Sequence, residues 1–258
     1  MILALDVGNT NTVVGGFEGE TLRFSLRMQS DRNKTVDEYV LLLRGLLKDK
    51  GVDLPAVEGG IISSVVPELR YVLGKAMERL TGKTFLVVSS RLDLGGIKIK
   101  MDIPSQVGAD LLVDAAAALS LYRPPLVIFD MGTATTMSVL DREGSYIGGV
   151  IIPGLRLSMD ALSGRAAQLP FINLEEPPER LIGKNTVDCM KAGAIYSNAA
   201  MLDGLVDRVE EELGEKVTVA ATGGLMGVVL PFCKHTIHYH EDLLLIGLRK
   251  LYERNISQ

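Results

Sequence analysis

The stretch ILALDVGNTNTVVGGFEGETLRFSLRM, Ile2–Met28, decides how the rest of the chain is read. An apolar run, Ile2–Leu5, meets Asp6, and a turn of Gly, Asn and Thr follows. A second strand at Thr12–Phe17, a turn at Glu18–Glu20 and a third strand at Leu22–Met28 complete a meander. The same plan recurs in PLVIFDMGTATTMSVLDREGSYIGGVIIPG, Pro125–Gly154. Its strands are Leu126–Phe129, Thr136–Leu140 and Tyr146–Ile152, with Asp130 closing the first and a turn at Asp141–Gly144. Aligned this way, Asp6 falls with Asp130, Gly8 with Gly132, Asn9 with Thr133, Thr10 with Ala134 and Thr12 with Thr136. A single turn rich in Asp, Asn and Gly is ordinary. Two of the same build, each with a carboxylate at the end of its first strand, indicate a duplicated architecture.

These turns have a definite chemistry. A strand-end Asp can hold a hydrated Mg²⁺, which needs few protein oxygens. The glycine that follows lets backbone approach a phosphate, and turn amides and Thr hydroxyls donate hydrogen bonds to it. A third turn, ATGGL at Ala221–Leu225, follows a short strand at Val217–Ala220 and would complete a nucleotide pocket.

Outward from the turns the pattern becomes helical. Lys34–Lys50 carries apolar residues at helical spacing, and Thr35 with Glu38 matches a capping box. Gly108–Tyr122 is rich in Ala and Leu. Thr186–Leu213 reads as one long helix or two, with Gly193 and Gly204 inside it, and Glu241–Arg254 is amphipathic. The Pro pair near Leu121–Pro125 separates a helix from the second repeat, giving domains 1–121 and 122–258.

Composition narrows the class. The chain has 258 residues, 47% hydrophobic and 23% charged, which excludes a disordered, collagen-like or coiled-coil protein. Cys189 and Cys233 form no CxxC pair, so no disulfide framework is expected, and both are expected to be small buried residues. The N-terminus lacks a basic signal-peptide region, and no apolar run approaches the roughly 20 residues that span a bilayer. A cytoplasmic protein without a membrane partner is expected. The net charge is -5, Trp is absent and aromatics make up 5%, which argues against nucleic acid as a partner. An anionic small ligand remains open, because amides, helix ends and a metal hold phosphate without net positive charge.

In PSQVGADLLVD, Pro104–Asp114, Asp110 begins a helix. By spacing it reads as an ordinary acid favoured by helix N-terminal amides, and a carboxylate there could also take a proton from a hydroxyl. His238 and His240 share a face of an expected strand, Thr236–His240, and His235 does not share it.

Together, the ordered motifs DVGNTNTV (Asp6–Val13), SSVVP (Ser63–Pro67), PSQVGAD (Pro104–Asp110), DMGTATT (Asp130–Thr136), GGVIIPG (Gly148–Gly154), RAAQLP (Arg165–Pro170), GKNT (Gly183–Thr186) and ATGGL resemble the type III pantothenate kinases. This family lies within the sugar kinase, actin and Hsp70 superfamily. The resemblance implies an α/β fold of two duplicated ribonuclease H-like (actin-like ATPase) domains with a nucleotide cleft between them. It implies ATP-dependent phosphorylation of the primary hydroxyl of pantothenate to 4'-phosphopantothenate, the first step toward coenzyme A. The implied cofactors are Mg²⁺ or another divalent cation and K⁺ or NH₄⁺, and the implied assembly is a homodimer. Carried over, Asp6, Val7, Gly8, Asn9, Thr10, Asn11, Thr12 and Val13 bind ATP, with Asp6 also on the metal. Asp110 is the general base, Asp130 a ligand of the monovalent cation and Thr133 an ATP contact. Met101, Gly108, Ala109, Asp110, Leu111 and Thr186 form the acceptor site.

Two of these positions depart from the family pattern. Leu111 stands where an Arg follows the catalytic Asp, and Met101 where a Tyr is usual. An Arg would offer a fork of donors to the acceptor's carboxylate, and Leu offers none. Another cation (Lys98, Lys100 or Arg165), another hydroxyl acceptor, or a non-catalytic ATP-binding role would each accommodate the change.

Overall fold

The computed structural model describes residues 1–89 and 92–256. The chain divides into two compact units, one of Met1–Ile97, Ile103–Ala117 and Asp242–Gln258, the other of Lys98–Asp102 and Ala118–Glu241.

In the first unit, β1 (Ile2–Val7) is the middle strand of a sheet. Antiparallel β2 (Asn11–Glu18) and β3 (Thr21–Gln29) lie to one side, and parallel β4 (Gly59–Ser64) and β5 (Leu86–Val87) to the other. Ile2–Leu5 and Val7 are buried and Asp6 alone in the strand is half-buried, the near-continuous apolar run of a strand covered on both faces. One face packs Leu3, Leu5 and Val7 against Tyr39, Leu43 and Leu47 of α1 (Val36–Asp49) and Leu69, Leu73 and Met77 of α2 (Pro67–Thr81). The capping box is formed: Glu38 N–H donates to Thr35 Oγ1 at 3.3 Å and Thr35 N–H to Glu38 Oε2 at 2.7 Å. The other face receives α7 (Leu243–Ile256), which packs on β1 and β4. Space for it is left by glycines: a Cβ on Gly59 would lie 2.2 Å from the Tyr252 hydroxyl. The C-terminal helix therefore belongs to the first unit, whereas the sequence expectation placed 122–258 together.

The second unit repeats this design. β6 (Leu126–Met131) is flanked by antiparallel β7 (Ala134–Leu140) and β8 (Tyr146–Pro153), and by parallel β9 (Thr218–Thr222) and β10 (Ile237–Tyr239). Val127, Phe129, Met137 and Val219 pack against Ile195, Leu202 and Val206 of α5 (Thr186–Leu213). α5 is a single helix, because Gly193 and Gly204 face open space and leave the turn geometry undisturbed. α4 (Leu155–Arg165) precedes it, and α6 (Met226–Val229) follows β9. α3 (Ala109–Leu121) runs from the first unit into the second.

Both sheets have the same strand order, β3-β2-β1-β4-β5 and β8-β7-β6-β9-β10. Even the irregularity is copied, with a register shift between Gly16 and Phe17 in one and between Val139 and Leu140 in the other. The register corrects one detail of the repeat. Asp6 pairs with Val13 but Asp130 pairs with Thr136, so the second loop is one residue shorter. The counterpart of Thr12 is therefore Thr135, and both are fully buried.

Two sequence expectations about small features also change. Cys189 is exposed on the first turns of α5. Cys233 is half-buried, and burial pushes its thiol pKa up to about 11. Gly223, in the turn after β9, has φ +99, and a Cβ there would lie 2.5 Å from the Met131 backbone nitrogen. Gly223→Ala combines a left-handed backbone with a backbone collision, so it should destabilise the protein by about 1–3 kcal/mol or more, read as a lower urea midpoint.

Candidate active site

In the first unit, the candidate residues sit on the β1–β2 hairpin. Gly8 N–H donates to Asn11 O at 3.0 Å, which closes the turn and leaves Asn9 and Thr10 exposed at its tip. The backbone of Asp6 lies opposite Val13 on β2 and Ser63 on β4, and directly paired residues share a face. The Ser63 hydroxyl is fully buried with no hydrogen-bond partner among the described residues. A half-buried carboxylate with an unsatisfied hydroxyl in the same row fits a hydrated divalent cation. Among the described residues no cluster of three or more His, Cys, Asp or Glu exists, so such an ion would rely on one carboxylate, waters and phosphate oxygens.

Asp110 lies in the same unit, in the first turn of α3. The N–H of Leu111 donates to its Oδ1 at 2.9 Å. Gly108 makes room for this carboxylate, since a Cβ there would stand 2.4 Å from Oδ1. Burial raises the Asp110 pKa above the ordinary carboxylate value and outweighs the backbone N–H groups that favour the anion. The sequence expectation that helix amides dominate is thus reversed by desolvation.

In the second unit, the matching residues sit on the β6–β7 turn. Gly132 N–H donates to Ala134 O at 3.0 Å, leaving Thr133 exposed. Gly154 closes over this turn, its N–H 3.2 Å from Thr133 O, where a Cβ would come within 2.3 Å of that oxygen. Asp130 pairs with Thr136 on β7 and Thr222 on β9. A carboxylate in one row with two hydroxyl-bearing residues is a hard-oxygen set suited to a hard cation. Thr222 lies within the ATGGL motif, but only the strand register places it beside Asp130.

Thr186 is the first residue of α5, capped by Asn185, whose Oδ1 accepts from Asp188 N–H at 2.9 Å. Thr186 lines a groove of ≈ 770 Å³ with Lys184, Asn185 and the apolar side chains of Leu155, Met159 and Met190. Lys184 was an omission, hidden within the GKNT motif. Met101 stands beside Gly148, its sulfur 3.8 Å from where a Cβ would lie. Lys100, one of the cations considered beside Leu111, is held at 2.6 Å by Asp141. The histidines have separate partners: His235 Nε2 meets Asp207 at 2.8 Å, His238 stacks on Tyr122, and His240 Nε2 meets the Tyr122 hydroxyl at 2.6 Å. Among the described residues, no helix is long and apolar enough to cross a membrane.

The paired β3-β2-β1-β4-β5 sheets define the actin-like ATPase class. Solved structures agree on the fold. A Baf family protein from Campylobacter jejuni superposes with TM-score 0.57 at 17% identity over 99% of this chain and 100% of that one. The activator of 2-hydroxyisocaproyl-CoA dehydratase from Clostridium difficile, solved with ADPNP bound, gives 0.54 at 14% identity over 100% and 96%. Sequence relatives are far nearer. A type III pantothenate kinase of Moorella thermoacetica is 44% identical over 99% of this chain and 100% of its own length. One from Exiguobacterium is 43% identical over 99% of each. The profile of the type III pantothenate kinase family matches residues 2–208. The chain belongs to the type III pantothenate kinase family.

The raised pKa of Asp110 has a consequence for stability. The folded chain holds this proton more tightly than the unfolded chain does. The group therefore favours folding below its unfolded pKa, and that contribution is lost as pH rises through the folded pKa. Asp110→Asn keeps the Leu111 hydrogen bond and removes the buried charge. Thermal unfolding at about pH 7 should show a higher midpoint for the variant, with the gain vanishing at acid pH. An equal or lower midpoint at neutral pH would show that the carboxylate is not held at a cost.

Proposed function

We propose that this chain transfers the γ-phosphoryl group of ATP to the primary hydroxyl of pantothenate. Similarity to type III pantothenate kinases along nearly the whole chain, with every motif of the two turns in place, carries the reading. The Asp6–Val13 turn takes the donor phosphates on its amides and hydroxyls, and Thr133 is assigned as an ATP contact. Asp110 accepts the proton of the acceptor hydroxyl as its oxygen attacks the γ-phosphorus. A base whose pKa is raised toward the working pH is better matched to this transfer, provided it remains ionised. Divalent metal at Asp6 supplies charge neutralisation for the phosphates. Asp130, with Thr136 and Thr222, holds K⁺ or NH₄⁺.

Acceptor-binding roles are assigned to Gly108, Ala109, Asp110 and Leu111 of the first unit and, separately, to Met101 and Thr186 of the second. Leu111 offers no donor and Lys100 is engaged by Asp141; we assign the pantothenate carboxylate to Lys184, which lines the same groove as Thr186. The working form is a cytoplasmic homodimer. It is supported by exposed apolar side chains on the second unit, Ile151, Phe171 and Ile182, whose burial a second copy would reward.

The test is product formation from ATP and pantothenate with Mg²⁺ and K⁺. Asp110→Asn should lower kcat by about 10²–10⁴-fold, and unchanged turnover would remove Asp110 from the base role. Thr222→Val should raise the K⁺ concentration needed for half-maximal rate; an unaltered K⁺ dependence would remove the cation from this row. Lys184→Ala should raise the KM for pantothenate by about tenfold with kcat little changed, and an unchanged KM would place the carboxylate elsewhere. Absence of phosphopantothenate at saturating substrates would refute the acceptor.

A further inference from the structure

We propose that Arg32 is a positioning residue for the donor phosphates, acting through Asn9. The inference rests on the reading that the Asp6–Val13 turn takes those phosphates. Arg32 Nη2 donates to Asn9 Oδ1 at 2.8 Å. A guanidinium has donors only, so it fixes which way the Asn9 amide faces. The oxygen turns to Arg32, and the amide NH₂ keeps its two donors for an acceptor such as a phosphate oxygen. An exposed Asn at a turn tip would otherwise rotate among side-chain states, and holding one of them beforehand reduces the ordering cost on binding.

Arg32 is itself held by a strap of short contacts. Ser30 N–H donates to Thr10 O at 2.9 Å, and the Ser30 and Thr12 hydroxyls lie 2.9 Å apart. Both ends of this strap therefore touch the phosphate turn. Next to Ser30, the Tyr39 hydroxyl accepts from Asp31 N–H and donates to Asp31 O, each at 2.9 Å. The Tyr39 ring is fully buried between α1 and the sheet, so these bonds anchor the backbone beside Arg32 to the core. Asp31 Oδ2 binds Lys34 Nζ at 2.6 Å and Oδ1 accepts from Asn33 N–H at 3.0 Å, which closes the loop on itself. The backbone leading into the exposed Arg32 is thus tied to the turn at Ser30 and to the core at Asp31, while its side chain reaches Asn9.

The experiment measures binding of the non-hydrolysable analogue AMP-PNP with Mg²⁺, and of adenosine, by calorimetry on the full chain. Arg32→Ala should weaken AMP-PNP binding by about tenfold or more and leave adenosine unchanged. Arg32→Lys, which restores a donor to Asn9, should recover part of the loss. Asn9→Ala should lose a similar amount, and the double variant should be no weaker than the weaker single, because the two act as one unit. Arg32→Ala within about twofold of the parent, equal losses for adenosine, or additive losses in the double variant would each overturn the proposal. If the parent protein itself binds AMP-PNP no better than adenosine, the phosphate assignment of the turn fails, and the role of Arg32 fails with it.

Discussion

The parallel pairing of β1 with β4, and of β6 with β9, places Asp6 and Asp130 near the carboxyl ends of strands whose edges are both occupied. Such a strand has helices or loops over both faces and tolerates little polarity along its length. Its carboxyl end is where polarity is affordable, and parallel strands present that end to ligands. A hairpin of Gly, Asn and Thr opening at this point supplies amides next to the carboxylate. The glycines follow from the same crowding: Gly154 lies against the backbone of the Gly132–Thr133 turn, and Gly223 against that of Met131. Side chains there would push the turns apart.

The two copies have diverged where their chemistry must differ. Asp6 shares its row with Val13 and Ser63, whereas Asp130 shares its row with Thr136 and Thr222. The first carboxylate has few protein oxygens around it and suits an ion that keeps its water. The second has more and suits an ion that sheds it. The longer first loop, with Asn9 and Thr10 at its tip, offers more donors than the shorter second one. On the proposed reading, the two hairpins serve two electrostatic tasks, and they differ by one residue in loop length and in their strand neighbours.

Much of this was legible in the chain. Apolar runs such as Ile2–Leu5 and Leu126–Phe129 are long enough to mark buried strands, and Thr35 with Glu38 marks the start of α1. The carboxylates and turns were legible because few residue types can occupy them. What stayed hidden depends on distance in sequence. Thr222 joins Asp130 only through the β6–β9 register, and the alignment of Thr12 with Thr136 erred by one because loop length is invisible to motif matching. The environment of Asp110 was misjudged for a similar reason. Helix amides are local and can be read from sequence, but burial is set by the surrounding fold. The strap through Tyr39 left no motif in the sequence, since its phenol partners are backbone groups.

The C-terminal helix carries a consequence of a different kind. α7 covers β1 and β4 in the first unit, yet every residue of the second unit precedes it in the chain. During synthesis, the first sheet leaves the ribosome with one apolar face uncovered, including the gap at Gly59 that Tyr252 later fills. The second unit has all its strands and helices in hand before that gap closes. The β1–β2 hairpin is among the first parts made, but the unit that supports it is among the last to be finished. A chain cut short before Leu243 would keep every motif of the two turns and lack the cover on the sheet that carries the first of them.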